Sequence, residues 1–243
     1  MNFLIPMAGK GSRFSEMSDL PKPLIDFCGE PMIRNVIRNL MGKHMHKIIF
    51  VVLSEHIDNH SIDEKLSSFV SGCKIVQCDS VTEGPASTTL LAEHYIDNDD
   101  PLVIANCDQL IRTSLKRVFD NFYRSECDGG IITFPSTDSK WSYAKVDDDN
   151  YVSEVAEKNP ISEHATVGIY YWRRGSDYVK YVKKMIEKNV RVNNEFYVCP
   201  VYNEAIQDNK KIVIHEISSN EMYGLGDPEE FQDSLERLKN AWI

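Results

Sequence analysis

Phe3-Leu4-Ile5-Pro6-Met7-Ala8-Gly9-Lys10-Gly11-Ser12-Arg13-Phe14 runs from a short apolar segment into a glycine loop, and Pro21-Lys22-Pro23-Leu24-Ile25 follows soon after. The apolar segment reads as a buried strand. Gly9 and Gly11 permit positive φ, which lets a backbone approach an anion closely. Successive N–H groups of such a loop point at phosphate oxygens. Arg13 adds a fork of donors, and Lys22 adds a point charge on a proline-stiffened segment. A bare structural turn stays open as the reading of Gly-x-Gly alone. No third glycine completes a dinucleotide fingerprint, and no Gly-Lys-Ser/Thr triplet makes a Walker loop.

Outward from this stretch, apolar runs alternate with amphipathic ones. Residues 3–6, 47–53, 74–78 and 101–105 read as strands, and 31–41, 62–70 and 86–95 as helices. Ile48-Ile49-Phe50-Val51-Val52-Leu53 is apolar without a break, the pattern of a strand buried on both faces. After residue 110 the character changes. Residues 114–125 read as a helix capped by Thr113 or Ser114. Residues 130–134, 142–146, 152–156 and 165–172 then read as strands joined by loops, with a turn at 147–150. Helices at 176–189, 197–207 and 228–242 and a strand at 211–215 complete the pattern. The expectation is an α/β fold: three α/β/α layers, Rossmann-like, around a mixed, mainly parallel sheet with a smaller sub-lobe over a cleft. One domain spanning 1–243 is expected, in halves 1–110 and 111–243.

The net charge of −10 disfavours nucleic acid and anionic membrane as partners, because both reward basic surfaces. No apolar run is long enough to span a bilayer, and the first residues lack the pattern of a secretory signal. None of the six cysteines forms a Cys-x-x-Cys pair. They read as core residues of a reduced, cytoplasmic protein.

Two further segments carry chemistry. Leu102-Val103-Ile104-Ala105-Asn106-Cys107-Asp108-Gln109 ends a strand in a carboxylate, the place where ligands bind in open α/β sheets. Asp108 there can hold Mg²⁺ against phosphate oxygens, or serve only as a turn or cap residue. Val81-Thr82-Glu83-Gly84-Pro85-Ala86 opens a helix, with Pro85 suited to its first turn. Gly84 lets a flat ring approach the backbone, and an ordinary helix start is the alternative.

The string Ala8-Gly9-Lys10-Gly11-Ser12-Arg13, Pro21-Lys22-Pro23-Leu24 and Gly29-Glu30-Pro31-Met32-Ile33 resembles the opening of the sugar-phosphate nucleotidylyltransferases. The resemblance implies a loop of Met7, Ala8, Gly9, Gly11 and Ser12 that grips the phosphates of an NTP. Arg13 and Lys22 would stabilise charge at the α-phosphate, and Asp108 would be the catalytic metal ligand beside Asn106. Glu83, Gly84, Pro85 and Ala86 would read the nucleobase, taken as a pyrimidine. Glu154-Val155-Ala156-Glu157-Lys158-Asn159-Pro160 resembles the family's Glu-Lys-Pro segment, with one residue inserted. A solvated charge pair at a strand end is the other reading of Glu157 and Lys158.

By the same resemblance Tyr143, Glu157, Lys158, Gly168, Asn194 and Glu195 would bind the phosphorylated acceptor. Trp141 receives no task. Met222-Tyr223-Gly224-Leu225-Gly226-Asp227-Pro228 matches the end of the family's second metal segment, but Gly224 stands where the family has Asp. Asp227 then reads as the cap of the last helix.

The implied reaction is nucleotidylyl transfer: an NTP and a sugar phosphate or other small organic phosphate give an activated product and pyrophosphate, with Mg²⁺, for surface-polysaccharide assembly. Two rivals stand beside it. A nucleotide-sugar glycosyltransferase shares the architecture but normally shows Asp-x-Asp where this chain has Asn106-Cys107-Asp108. A non-catalytic nucleotide-binding regulator would accord with Gly224. A homo-oligomer built through Phe196, Tyr197 and Tyr202 is an alternative to burying those residues in the core.

Overall fold

The computed structural model describes residues 1–41 and 47–241, with side chains to residue 238. The last residues of the helix expected at 228–242 fall partly outside that range. The chain runs β1 (Asn2–Pro6), β2 (Asp26–Phe27), β3 (Glu30–Pro31), α1 (Met32–Met41), β4 (Lys47–Leu53), α2 (Ser54–His60), α3 (Ile62–Phe69) and β5 (Lys74–Cys78). It continues through α4 (Pro85–Leu90), α5 (Glu93–Ile96), β6 (Leu102–Ala105), β7 (Gln109–Ile111), α6 (Leu115–Arg124), β8 (Gly129–Pro135), β9 (Ser142–Val146) and β10 (Val152–Glu157). The last elements are β11 (His164–Trp172), α7 (Gly175–Glu187), α8 (Val201–Gln207), β12 (Ile212–Glu216), β13 (Met222–Gly224) and α9 (Pro228–Ala241).

One nine-stranded sheet takes strands from both halves of the chain. β5, β4, β1 and β6 pair in parallel, and β11 then joins β6 antiparallel. β8 lies antiparallel to β11, and β12 is parallel to β8. β9 and β10 extend from the other end of β11 as an antiparallel pair. Only β10 and β11 therefore run against the remaining strands, so the sheet is mixed and mainly parallel.

Alternation along the strands explains the layers. Phe3, Ile5, Phe50 and Val52 pack on one face with Val36, Leu66 and Phe122, under α1, α3 and α6. Leu4, Ile49, Val51 and Ile104 pack on the other with Ala86, Val182 and Tyr202, under α4, α7 and α8. Burying both faces is what the unbroken apolar run of β4 requires. A third, smaller core of Phe14, Ile25, Phe27, Met32, Leu225 and Phe231 ties the Lys22 turn to α9.

Several elements differ from the expectations. The helix expected at 86–95 is two short ones, α4 and α5. The helix expected from residue 197 starts at Val201, because the Phe196 backbone is committed elsewhere: its N–H donates to Glu83 O and its carbonyl accepts from Ala86. β7 and β13, each three residues long, carry too little pattern to be read. Phe196 and Tyr202 are buried in the core, which removes them as surface for an oligomer.

Candidate active site

Two adjoining cavities open at the C-terminal ends of β1 and β6. The first, about 300 Å³, is lined by the glycine loop and by Lys22, Gly84, Pro85 and Asp108. Gly11 is left-handed (φ 63°), as expected, whereas Gly9 is not; Gly9 has nothing within 4 Å of a would-be side chain and leaves the loop open to a ligand. Arg13 follows on a 3-10 turn, Ser12–Phe14, exposed and without an ion-pair partner among the described residues.

Lys22 sits on a second 3-10 turn, Lys22–Leu24, pinned because Leu24 is buried in the main core and Ile25 in the small third core. Its ammonium lies 2.5 Å from Asp108 Oδ2 and donates to Gly226 O at 2.9 Å. The side chain is only 9% exposed, so these acceptors replace the water it has lost. Asp108 is held in turn where its carbonyl accepts the Leu225 N–H.

Segment 83–86 is clamped against Phe196. Gly84 has φ 130°, and a Cβ there would fall 2.5 Å from Phe196 N. Only glycine allows this close approach. Pro85 and Gly84 reach the cavity. The Ala86 side chain is buried behind it, and the Glu83 carboxylate turns away to Arg191 at 2.8 Å. Ser12 also lies off the cavity lining.

The second cavity, about 530 Å³, lies between the sheet and the 136–142 loop. Glu157 ends β10 and accepts a hydrogen bond from Ser142 Oγ. Burial raises its pKa above the ordinary glutamate value, against Ser142 and Lys158, which act to lower it. Lys158 Nζ donates to Tyr197 Oη at 2.7 Å, and Tyr197 donates to Glu195 Oε2 at 2.5 Å. Burial first, then Glu195, pushes the Tyr197 phenol up, so it keeps its proton for that bond.

Tyr143 does not reach this cavity. It is fully buried, and its hydroxyl is spent on Asp138 O at 2.6 Å. Strand alternation explains this: Ser142 faces the cleft and its neighbour faces the core. Asn194 does not line either cavity; its carbonyl accepts from Arg191.

The two cavities share Arg13, Pro85, Asn106, Asp108 and Glu195. Gly168 makes the junction possible. β11 bulges between Thr166 and Tyr170, and Gly168 takes φ 73° with its carbonyl accepting the Asn106 N–H. A Cβ there would lie 2.4 Å from Asn106 Nδ2.

Sequence reasoning missed Lys140, Gln109 and Glu230 in this lining and left Trp141 without a task. Trp141 stands edge-on to Phe134 and walls the second cavity. Only the unusual Lys140-Trp141 pair in a polar loop signalled anything. Asp227 does cap α9: its Oδ1 accepts the Glu230 N–H at 2.9 Å. The Cys107 thiol, pushed up to about 12 by burial and by Asp108, is no nucleophile.

The family model for nucleotidyl transferase matches residues 4–219. The chain belongs to the nucleotidyl transferase family. Among solved structures, this family member resembles the nucleoside-diphosphate-sugar pyrophosphorylase from Vibrio cholerae RC9, with a TM-score of 0.84 and 26% identity over 96% of this chain and 99% of that one. Its sequence is similar to a mannose-1-phosphate guanyltransferase of Hypocrea jecorina, 27% identical over 60% of this chain and 40% of that protein. It is also similar to the bifunctional protein GlmU of Carboxydothermus hydrogenoformans, 22% identical over 93% of this chain and 50% of that protein. The chain thus spans half or less of the curated relatives it matches.

A divalent cation fits the donor set in a limited way. Among the described residues no three His, Cys, Asp or Glu side chains gather to hold a metal. Asp108 offers hard carboxylate oxygen beside the glycine loop. That suits Mg²⁺, which is commonly bound by one or two carboxylates with substrate phosphates and water.

Proposed function

We propose that this nucleotidyl transferase couples an NTP to a sugar phosphate or another small organic phosphate and releases pyrophosphate. The observation that carries the reading is the junction of two cavities at Arg13, Asn106 and Asp108, with a phosphate-type loop on one side. The 1–110 half would hold the nucleotide and the 111–243 half most of the acceptor. The short segment 83–86, held by Phe196, favours a pyrimidine. An activated sugar made from an NTP pool suits a cytoplasmic step that supplies polysaccharide assembly.

The acceptor phosphate is already an anion near neutral pH, so the chain need not supply a strong base. Catalysis then reduces to positioning and charge neutralisation. Arg13 reaches the phosphates from the exposed side of the loop. Lys22, desolvated against Asp108, stabilises the charge that develops on the α-phosphate and the leaving group. Lys158 orients the acceptor, and Glu157 and Glu195 accept from its hydroxyls. Asp108 would hold Mg²⁺, which supplies Lewis-acid neutralisation of the phosphate oxygens when bound.

Pyrophosphate release across the NTPs and a panel of sugar and polyol phosphates tests this. Release that needs one NTP and one acceptor is the expected result. Sugar transfer from a nucleotide sugar without pyrophosphate would replace the reading with a glycosyltransferase. NTP binding without turnover across the panel would replace it with a regulator.

A further inference from the structure

The 224–227 turn connects the Lys22–Asp108 pair to a carboxylate with no assigned role. The Gly226 carbonyl accepts from Lys22 Nζ at 2.9 Å, and the Gly226 N–H donates to Glu230 Oε2 at 3.0 Å. Glu230 Oε1 is met by Lys140 Nζ at 2.7 Å. One line of polar contacts therefore runs from Asp108 through Lys22, Gly226 and Glu230 to Lys140, in the lining of the second cavity.

The space for Glu230 comes from two glycines. A Cβ on Gly226 would lie 2.7 Å from Glu230 Oε2, and one on Gly224 would lie 3.0 Å from the same oxygen. The Glu230 side chain is only 14% exposed, and its carboxylate is met by the Gly226 N–H and Lys140. Asp227 anchors it from behind by capping the same helix turn. A carboxylate this enclosed, bonded to the peptide that holds Lys22, constrains that lysine.

We propose that Glu230 is a positioning residue. It fixes the Gly226 peptide so that the Gly226 carbonyl keeps the Lys22 ammonium on Asp108, and Lys140 balances its charge. The kinetic consequence rests on the proposed nucleotidylyl transfer; the geometric claim does not.

The test labels the full-length protein with an amine-acylating reagent and reads each lysine by peptide mass spectrometry. Glu230→Ala should raise acylation of Lys22 about fivefold, the scale of losing one hydrogen bond, with exposed Lys145 as internal reference. Glu230→Gln, whose amide oxygen can still accept from Gly226 while the exposed Lys140 turns away to water, should keep Lys22 near wild type. Where Glu230→Ala does not fold, Gly226→Ala serves instead, because its methyl displaces Glu230 without deleting it. In the kinetics, Glu230→Ala should lower turnover about tenfold with both KM values within about threefold, and Glu230→Gln should restore it. Unchanged Lys22 acylation overturns the proposal. So does a raised acceptor KM with normal turnover, which would make Glu230 an acceptor contact. A wild-type protein that releases no pyrophosphate defeats the functional reading alone, since labelling still decides the positioning role.

Discussion

The two cavities are built in opposite ways. The first cavity is largely local: a strand, a glycine loop, two 3-10 turns and Asp108 at the end of a neighbouring strand, with segment 83–86 on Phe196 as the long-range exception. The second cavity is assembled from afar: Lys140 meets Glu230 and Lys158 meets Tyr197, while Glu157 meets Ser142 on the neighbouring strand. Under the proposed reaction, phosphates are alike in every NTP, so a backbone cradle would serve them and changes to it would harm every substrate. Acceptors differ, so side chains on loops and strand ends would suit their wall. Substitutions in the two regions should therefore fail in different ways.

The largest effect belongs where the regions meet. Lys22→Ala or Asp108→Ala should lower turnover by at least ~10²-fold, the scale of removing one electrostatic stabiliser. Each leaves its former partner partly buried and unpaired, so folding must be checked by thermal melting beside the pyrophosphate assay. Near-normal turnover in a folded variant would break the comparison at its centre.

Gly84→Ala comes next and probes the clamp beside the first cavity. Its Cβ would fall 2.5 Å from Phe196 N at a φ of 130°, a conflict of backbone with backbone. A cost of about 1–3 kcal/mol is expected, read as a lower urea midpoint. NTP KM should rise with it, because that clamp opens. Unchanged NTP affinity in a destabilised variant would remove segment 83–86 from the nucleotide site.

The same contrast explains what could be read in advance. Gly11, Arg13 and Lys22 were legible because one short stretch carries both the bend and the charges. The three layers were legible because β1 and β4 bury both faces. Tyr143 was misread because one step along a strand exchanges cleft for core. Glu230 was invisible because its contacts lie 4 and 90 residues away, at Gly226 and Lys140. The helix placed from residue 197 failed because a backbone committed to Glu83 and Ala86 cannot also begin a helix.

Lys158→Ala tests the assembled side. Losing a charged donor should raise acceptor KM about tenfold, with NTP KM unchanged. A shift in NTP KM of the same size would show that the two cavities do not divide the substrates.

The smallest effect is a pH dependence of stability at Glu157. Burial raises its pKa above the unfolded value, so the native state holds that proton more tightly than the unfolded chain. Its contribution is therefore full below the ordinary glutamate pKa and is lost as pH rises through the raised native value. Glutamine has no proton to lose. The Glu157→Gln variant should gain stability relative to wild type across that window and hold the gain above it. Urea midpoints from pH 4 to 8 measure the gap, with Ser142→Ala as the opposite perturbation, because removing the donor that steadies the carboxylate should widen the wild-type loss. Parallel midpoint curves for wild type and Glu157→Gln would mean that water reaches this carboxylate, and this wall of the second cavity would then be an open surface rather than a desolvated one.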